Sequence, residues 1–316
     1  MIFDSESVFE DNVITVLKQH GWKDGVLRYP TEQDLLDNWK GILYRNNNDI
    51  DRLGKYPLTD GEMAQIIEQI ETLRTPLALN SFVNGRTVSI TRDNKEDVAH
   101  FGKEISLYIY DRKEIAGGKS TYQIAQQPVY PAKNKMLNSR RGDLVLLING
   151  MPLIHIELKK SGIPVSQATN QIEKYTHEGV FTGLFRLVQI FVAMNPDDAV
   201  YFANPGVDKF NPSYYFHWAD YNNEPICGGQ NPGKDEWKLF IGGTSGTAGL
   251  LSIPMAHQLI GFYTIADSAD GCLKVLRSYQ YIAANAISDV VRKCDWEQRP
   301  TTPGRPGGYV WHTTGS

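Results

Sequence analysis

The sequence predicts an α/β fold, with a central mixed β-sheet flanked by helices. Three observations lead there. Apolar residues recur at helical spacing near the N-terminus, give way to short strand-like runs, and return to helical spacing near the C-terminus. Two of the apolar runs meet at Asn149-Gly150, a dipeptide suited to a tight hairpin turn. Hydrophobic residues make up 41% of the 316 residues and charged residues 22%, enough apolar side chains for a sizeable core.

Taken in order, Val8, Phe9, Val13, Val16 and Leu17 mark a first helix that Gly21 ends. Met63, Ile66, Ile67 and Ile70 stripe a second helix over 60–73, with Pro76 expected to stop it. Residues 86–91 and 105–110 read as strands. Residues 143–148 and 152–159 form the hairpin around Asn149-Gly150. Residues 166–177 read as a helix carrying Ala168, Ile172 and Tyr175, and 187–193 and 199–202 as further strands. From about 204 to 247, Pro, Gly, Asn and Trp dominate, which predicts irregular loops. The Gly-rich stretch 242–249 is the best linker candidate, with helices expected over 255–266 and 273–294.

Composition also excludes. The three cysteines, Cys227, Cys272 and Cys294, form no C-x-x-C pair, which argues against a disulfide framework or a zinc site and for a reducing compartment. Residues 1–12 are acidic where a signal peptide is basic, and no apolar run approaches the ~20 residues of a membrane span. A soluble, cytoplasmic protein with no membrane partner is expected. The net charge of −4 argues mildly against a nucleic-acid coat, yet the average conceals a patch. Residues 131–160 hold Lys133, Lys135, Arg140, Arg141, Lys159 and Lys160 against Asp143 and Glu157, a local +4 suited to phosphate contacts.

The chemistry concentrates in that patch. Strand side chains alternate, so Glu157 and Lys159 share one face of their strand, and the hairpin returns Asp143 beside them. Two carboxylates can hold Mg²⁺, which takes one or two carboxylates plus waters and phosphate oxygens. The backbone carbonyl of Leu158 is a further candidate ligand. Lys159 can orient or deprotonate the attacking water and stabilise developing charge. His155 shares the face, although a lone strand histidine more often makes a local hydrogen bond than a metal bond. Gln171 and Tyr175, four residues apart, share one helix face.

Asp143 followed by Glu157-Leu158-Lys159 resembles the PD-(D/E)xK nuclease motif, with Gly142 where the motif often has proline. Gln171 to Tyr175 resembles the QxxxY motif of the RecB-like branch. Residues 141–162, with their hairpin, are similar to the N-terminal nuclease region of the restriction (R) subunit of type I restriction-modification enzymes. The resemblance implies a restriction-endonuclease-like core that uses Mg²⁺ to cleave double-stranded DNA. It implies a metal site of Asp143, Glu157, Leu158 and an acidic residue of the first helix, Glu10 or its neighbour Glu6. Gln171 and Tyr175 would contact DNA near the cut or support Lys159, with Arg140, Arg141 and Lys160 on DNA. Partners would be the methylation (M) and specificity (S) subunits. Nothing resembles a base-reading module, so cutting without sequence preference of its own is expected.

The resemblance also divides the chain. Residues 1–245 would be the endonuclease domain. Residues 246–316 would be a mostly helical stub of a RecA-like superfamily 2 helicase domain. Gln280 resembles its adenine-reading glutamine, and Thr313, Thr314, Gly315 and Ser316 resemble the opening of its Walker A loop. The loop's lysine is not among the 316 residues, so ATP is expected to serve the longer family subunit and not this chain alone. Two rival readings are another PD-(D/E)xK repair or junction nuclease and a non-catalytic DNA-binding or assembly module.

Overall fold

Helix boundaries follow local capping chemistry. In the computed structural model, which describes residues 2–115, 117–131, 140–207, 209–228, 235–269, 271–293 and 310, Ser5 opens α1 (Glu6–Gln19) by accepting from Val8 N. A short strand, β1 (Val26–Arg28), precedes α2 (Glu32–Asn46). Both α2 and α3 (Asp60–Thr72) begin with reciprocal capping boxes, Thr31 with Asp34 and Thr59 with Glu62. Pro76 lies past the end of α3, as expected, and also starts α4 (Pro76–Asn84) behind the cap Thr75. A first-turn proline gives up an N–H that has no helical partner anyway. The strands β2 (Thr87–Thr91) and β3 (Glu104–Tyr108) pair only with each other, in a small antiparallel sheet.

The central sheet comes next: β4 (Tyr122–Gln126), β5 (Leu144–Ile148), β6 (Met151–Leu158), β7 (Ile190–Met194) and β8 (Ala199–Ala203). Helix α5 (Val165–His177) connects β6 to β7. The six strands run in the order β1-β4-β5-β6-β7-β8, with β1/β4 and β6/β7 parallel and the other neighbours antiparallel. Every residue of β4 to β8 is buried, which requires cover on both faces. The expected α/β class and central mixed sheet flanked by helices therefore stand, a layout consistent with a PD-(D/E)xK-like nuclease core. One large hydrophobic cluster runs from α1 through the sheet, and a second forms around Ala168 and Ile172 of α5 with Phe191 and Phe202.

The C-terminal third departs from expectation in three places. The Gly-rich stretch is no loose linker: Gly243 bridges Ala248, and Trp218 Nε1 donates to Ala248 O at 2.8 Å. A side chain at Gly249 would run into the backbone of Ile241, so this glycine marks close packing. It follows α6 (Glu236–Gly242) and leads into α7 (Met255–Phe262). Second, a hairpin of β9 (Thr264–Asp267) and β10 (Cys272–Val275) occupies residues expected to be helical, and α8 begins only at Ser278 (Ser278–Lys293). Third, Leu250, Leu251, Met255, Leu259, Leu273 and Val275 join the main core. No helix of the described residues is long and apolar enough to cross a membrane.

Candidate active site

The hairpin turn sets the site's geometry. Asn149 and Gly150 both adopt positive φ, 52° and 84°, the combination that closes a two-residue turn. A bulge between Leu146 and Leu147 then shifts the register by one, so that Val145 pairs with His155 and Leu144 with Ile156. One step further along the antiparallel ladder, Asp143 stands opposite Glu157. Leu158 N donates to Asp143 Oδ2 at 2.6 Å, tying the first carboxylate to the strand that carries the second.

Lys159 completes the cluster. Its side chain is nearly buried, and Nζ lies 3.4 Å from Glu157 Oε1 and 3.7 Å from Glu6 Oε1. It also donates to Leu158 O at 2.8 Å, so the carbonyl expected as a metal ligand is engaged by the lysine. Glu10 lies buried on α1, accepting from Gln126 Nε2 at 2.6 Å and from Gln127 Nε2 at 3.3 Å. It is close enough to Asp143 for the two charges to repel.

The electrostatics are unbalanced. Burial, then the charge of Glu157, pushes Asp143 up to about 8. Burial likewise lifts Glu157 to about 7, with Lys159 pulling the other way. Glu10 is also raised, by burial, against the hydrogen bonds of Gln126 and Gln127. At neutral pH the Asp143–Glu157 pair therefore retains protons that two exposed carboxylates would have lost. Glu157 Oε2 is buried and has no hydrogen-bond partner. An orphaned carboxylate oxygen between repelling carboxylates is what a hard divalent cation would satisfy. Among the described residues no three His, Cys, Asp or Glu side chains form a ready-made cage.

The QxxxY pair comes together, but points at the strand and not at Lys159. Gln171 Nε2 donates to Tyr175 Oη at 2.6 Å, and Tyr175 Oη donates to Arg141 O at 2.9 Å. The pair thus anchors the backbone two residues before Asp143. Gln171 and Tyr175 also line an open polar depression with Arg140, Gln167, Asn170 and Lys174.

The basic patch shrinks on folding. Arg140 is paired with Glu178, Nε to Oε2 at 2.8 Å and the second nitrogen to Oε1 at 2.9 Å. Arg141, with its guanidinium 5.8 Å from the ring of Tyr29, and Lys160 remain exposed. Lys133 and Lys135 lie outside the described residues, as do Thr313, Thr314, Gly315 and Ser316. Gln280, in α8, accepts from Arg277 N at 3.0 Å and lines a cavity of about 260 Å³ with Phe216 and Arg277.

Sequence reasoning missed three contributors: Gln126, Gln127 and Tyr130. Tyr130 Oη lies 2.9 Å from His155 Nδ1, and both side chains are buried. Burial holds His155 neutral, with its pKa lowered to about 4. The only sequence signal was the Gln126-Gln127 pair at the end of an otherwise unremarked strand.

Comparison with known proteins agrees with this geometry. A family model described as the type I restriction enzyme R protein N terminus matches residues 4–210. The chain is similar to a Staphylococcus saprophyticus protein named as a type I restriction enzyme endonuclease subunit, 29% identical over 324 residues. A Staphylococcus aureus protein with the same kind of name is 30% identical over 318 residues. Both alignments take in all of this chain but 29% of the relative, so the chain spans under a third of those proteins. An Escherichia coli type I restriction enzyme endonuclease subunit is 26% identical over 343 residues, covering 99% of both sequences. With two-thirds of its residues matched by that model, the chain belongs to the family of type I restriction enzyme R protein N-terminal regions.

Proposed function

We propose that this chain is the Mg²⁺-dependent endonuclease part of a type I restriction R subunit, cutting double-stranded DNA without sequence preference of its own. The observation that carries the reading is the convergence of Asp143, Glu157 and Lys159 at one hairpin end, where burial raises both carboxyl groups above their ordinary range. Asp143 and Glu157 would hold Mg²⁺, with Glu10 behind them. Leu158 O accepts one hydrogen bond from Lys159 and would offer its second lone pair to the ion. The ion would supply Lewis acidity, activating water and neutralising charge on the scissile phosphate. Lys159 would orient the attacking water and stabilise negative charge as it develops. Arg141 and Lys160 would bind phosphates, and Gln171 with Tyr175 would keep the Asp143 strand in place. Sequence choice would fall to the S subunit, with the M subunit in the same complex and cytoplasm as the compartment.

We place the nuclease in residues 1–245 and the start of an ATP-dependent motor in 246–316. Because residues after 245 pack into the nuclease core, this division is one of function and not of folding.

The test is nicking of supercoiled plasmid by the purified chain. Cleavage that requires Mg²⁺, falls at least ~10²-fold in Lys159→Ala and leaves DNA binding intact supports the reading. DNA binding with no Mg²⁺-dependent cutting to lose, in the chain or in the assembled complex, would favour a binding module instead. Where the isolated chain does not cut, the same substitution is read in the assembled R, M and S complex with ATP.

A further inference from the structure

His155 is fully buried on β6, two residues before Glu157 and on the same face. Its Nδ1 meets Tyr130 Oη at 2.9 Å. Its Nε2 lies 3.3 Å from Glu157 Oε2, and neither atom has a hydrogen-bond partner. Two orphaned, buried polar atoms thus face each other at nearly bonding distance, one of them on a residue of the proposed metal site. A small rotation of the carboxylate would join them.

The direction of such a bond follows from Tyr130. Its ring is wedged edge-on against Phe185, with centroids 4.6 Å apart, and against Phe181 at 5.9 Å. A tyrosine hydroxyl that donates to Nδ1 leaves the neutral imidazole's one proton on Nε2, facing Glu157. The pair also reaches the other strand of the site. A Cβ at Gly142, the residue before Asp143, would lie 2.5 Å from Tyr130 Oη and 2.9 Å from His155 Cε1. Tyr130 and His155 fill the space that a side chain at 142 would need.

A second buried tyrosine–histidine pair provides the contrast. Tyr122 Oη meets His257 Nδ1 at 2.9 Å, and His257 Nε2 reaches Asp111 O at 3.0 Å. Both ring nitrogens are satisfied there. Of the two rings, it is that of His155 that leaves a nitrogen open.

We propose that His155, set by Tyr130, is a positioning residue that holds Glu157 Oε2 through Nε2–H and so presents Oε1 to the cation and to Lys159. The proposal rests on the nuclease reading above. It assigns His155 no contact with the metal and no proton transfer.

The test is calorimetric titration of the purified chain with Ca²⁺ and Mn²⁺, which needs no turnover. Tyr130→Phe keeps the ring and deletes the hydroxyl, and His155→Leu deletes both nitrogens. Each should weaken cation binding roughly 10-fold or more, the usual range for groups that orient metal ligands. His155→Gln, whose amide can donate to Glu157, should recover most of the loss. Tyr122→Phe removes the hydroxyl of the other pair and should leave affinity unchanged. Tyr130→Phe decides the matter where His155→Leu does not fold. Wild-type affinity in Tyr130→Phe and His155→Leu, with binding lost in Glu157→Gln, would overturn this proposal alone. Wild-type affinity in Glu157→Gln, or no binding by the unaltered chain, would overturn the site reading beneath it.

Discussion

Two clusters of buried charge lie in this molecule, and they are built on opposite principles. Around Arg92, every charge is answered. Arg92 donates to Glu62 at 2.6 Å, to Asp97 at 2.9 Å and to the backbone oxygens of Tyr56 and Pro57. Glu62 accepts further from the backbone N–H groups of Thr59, Asp93 and Asn94. Around Glu157, two carboxylates crowd together, an oxygen and an imidazole nitrogen lack partners, and Lys159 is shared among Glu157, Glu6 and a carbonyl. The first cluster locks the 56–62 segment to the 92–97 loop. The second leaves buried polar atoms unanswered. Burial alone does not separate a structural charge from a functional one; the state of its hydrogen bonds does.

The comparison predicts opposite responses to removing charge. Arg92→Ala strands Glu62 and Asp97 in the interior and should cost about 3–5 kcal/mol, read as a lowered urea midpoint. Asp143→Asn removes one of two repelling carboxylates while keeping its shape. It should abolish Mg²⁺-dependent cutting and raise the melting temperature of the metal-free chain. A lowered melting temperature in Asp143→Asn would mean that the site's charges are balanced after all.

The two clusters should also respond oppositely to pH. Asp143 and Glu157 titrate near 4 when unfolded but hold protons to about 8 and about 7 in the fold. The folded state therefore binds more protons across roughly pH 4 to 8, and this contribution to stability falls as pH rises through that window. Burial alone would push Asp97 up, yet hydrogen bonds from Arg92 and His100 leave it below its ordinary value. Its contribution is present at neutral pH and is lost as pH falls below the usual carboxylate range. The metal-free chain should thus lose stability from pH 5 to 8, and Ca²⁺ should restore more of it at pH 8 than at pH 5. In an Asp143→Asn, Glu157→Gln double variant the alkaline loss should flatten while the acid loss persists. Thermal melts across pH, with and without Ca²⁺, check both halves.

The sequence carried the unbalanced cluster better than the balanced one, for a physical reason. Asp143, Glu157 and Lys159 are joined by one hairpin whose turn Asn149-Gly150 specifies, with a bulge between Leu146 and Leu147 shifting the register by one on the way to the site. The hairpin is legible from local rules; the bulge is not. Arg92 and Glu62 meet across 30 residues, and nothing local in either segment announces the pairing. The same distance effect hides the partner of Arg140, because Glu178 folds back on it from 38 residues away. β4 carries Gln123 and Gln126 in buried positions, where Asn38 pairs with the first amide and Glu10 accepts from the second, partners that nothing local announces. Pro76 lies past the end of α3 as its rule requires, and with Thr75 as cap it also opens α4.

The smallest expected effect is also the most local test of how the site is supported. Gly142 does not adopt a positive φ, so alanine meets no backbone penalty there; the obstacle is space already filled by Tyr130 Oη and His155 Cε1. Overpacking of this kind costs about 1–3 kcal/mol. Gly142→Ala should therefore destabilise the chain within that range and weaken Ca²⁺ binding by displacing the pair from Glu157. In a Tyr130→Phe background the oxygen nearest the new methyl is gone, while the ring edge and His155 remain. The added cost of Gly142→Ala should then shrink without vanishing, and its effect on Ca²⁺ affinity should nearly disappear, because the pair is already uncoupled. Residues in contact give such non-additivity, and distant ones do not. Equal costs in both backgrounds would show that the Tyr130 hydroxyl does not occupy the space beside Gly142. Asp143 and Glu157 would then owe their alignment to the hairpin ladder alone.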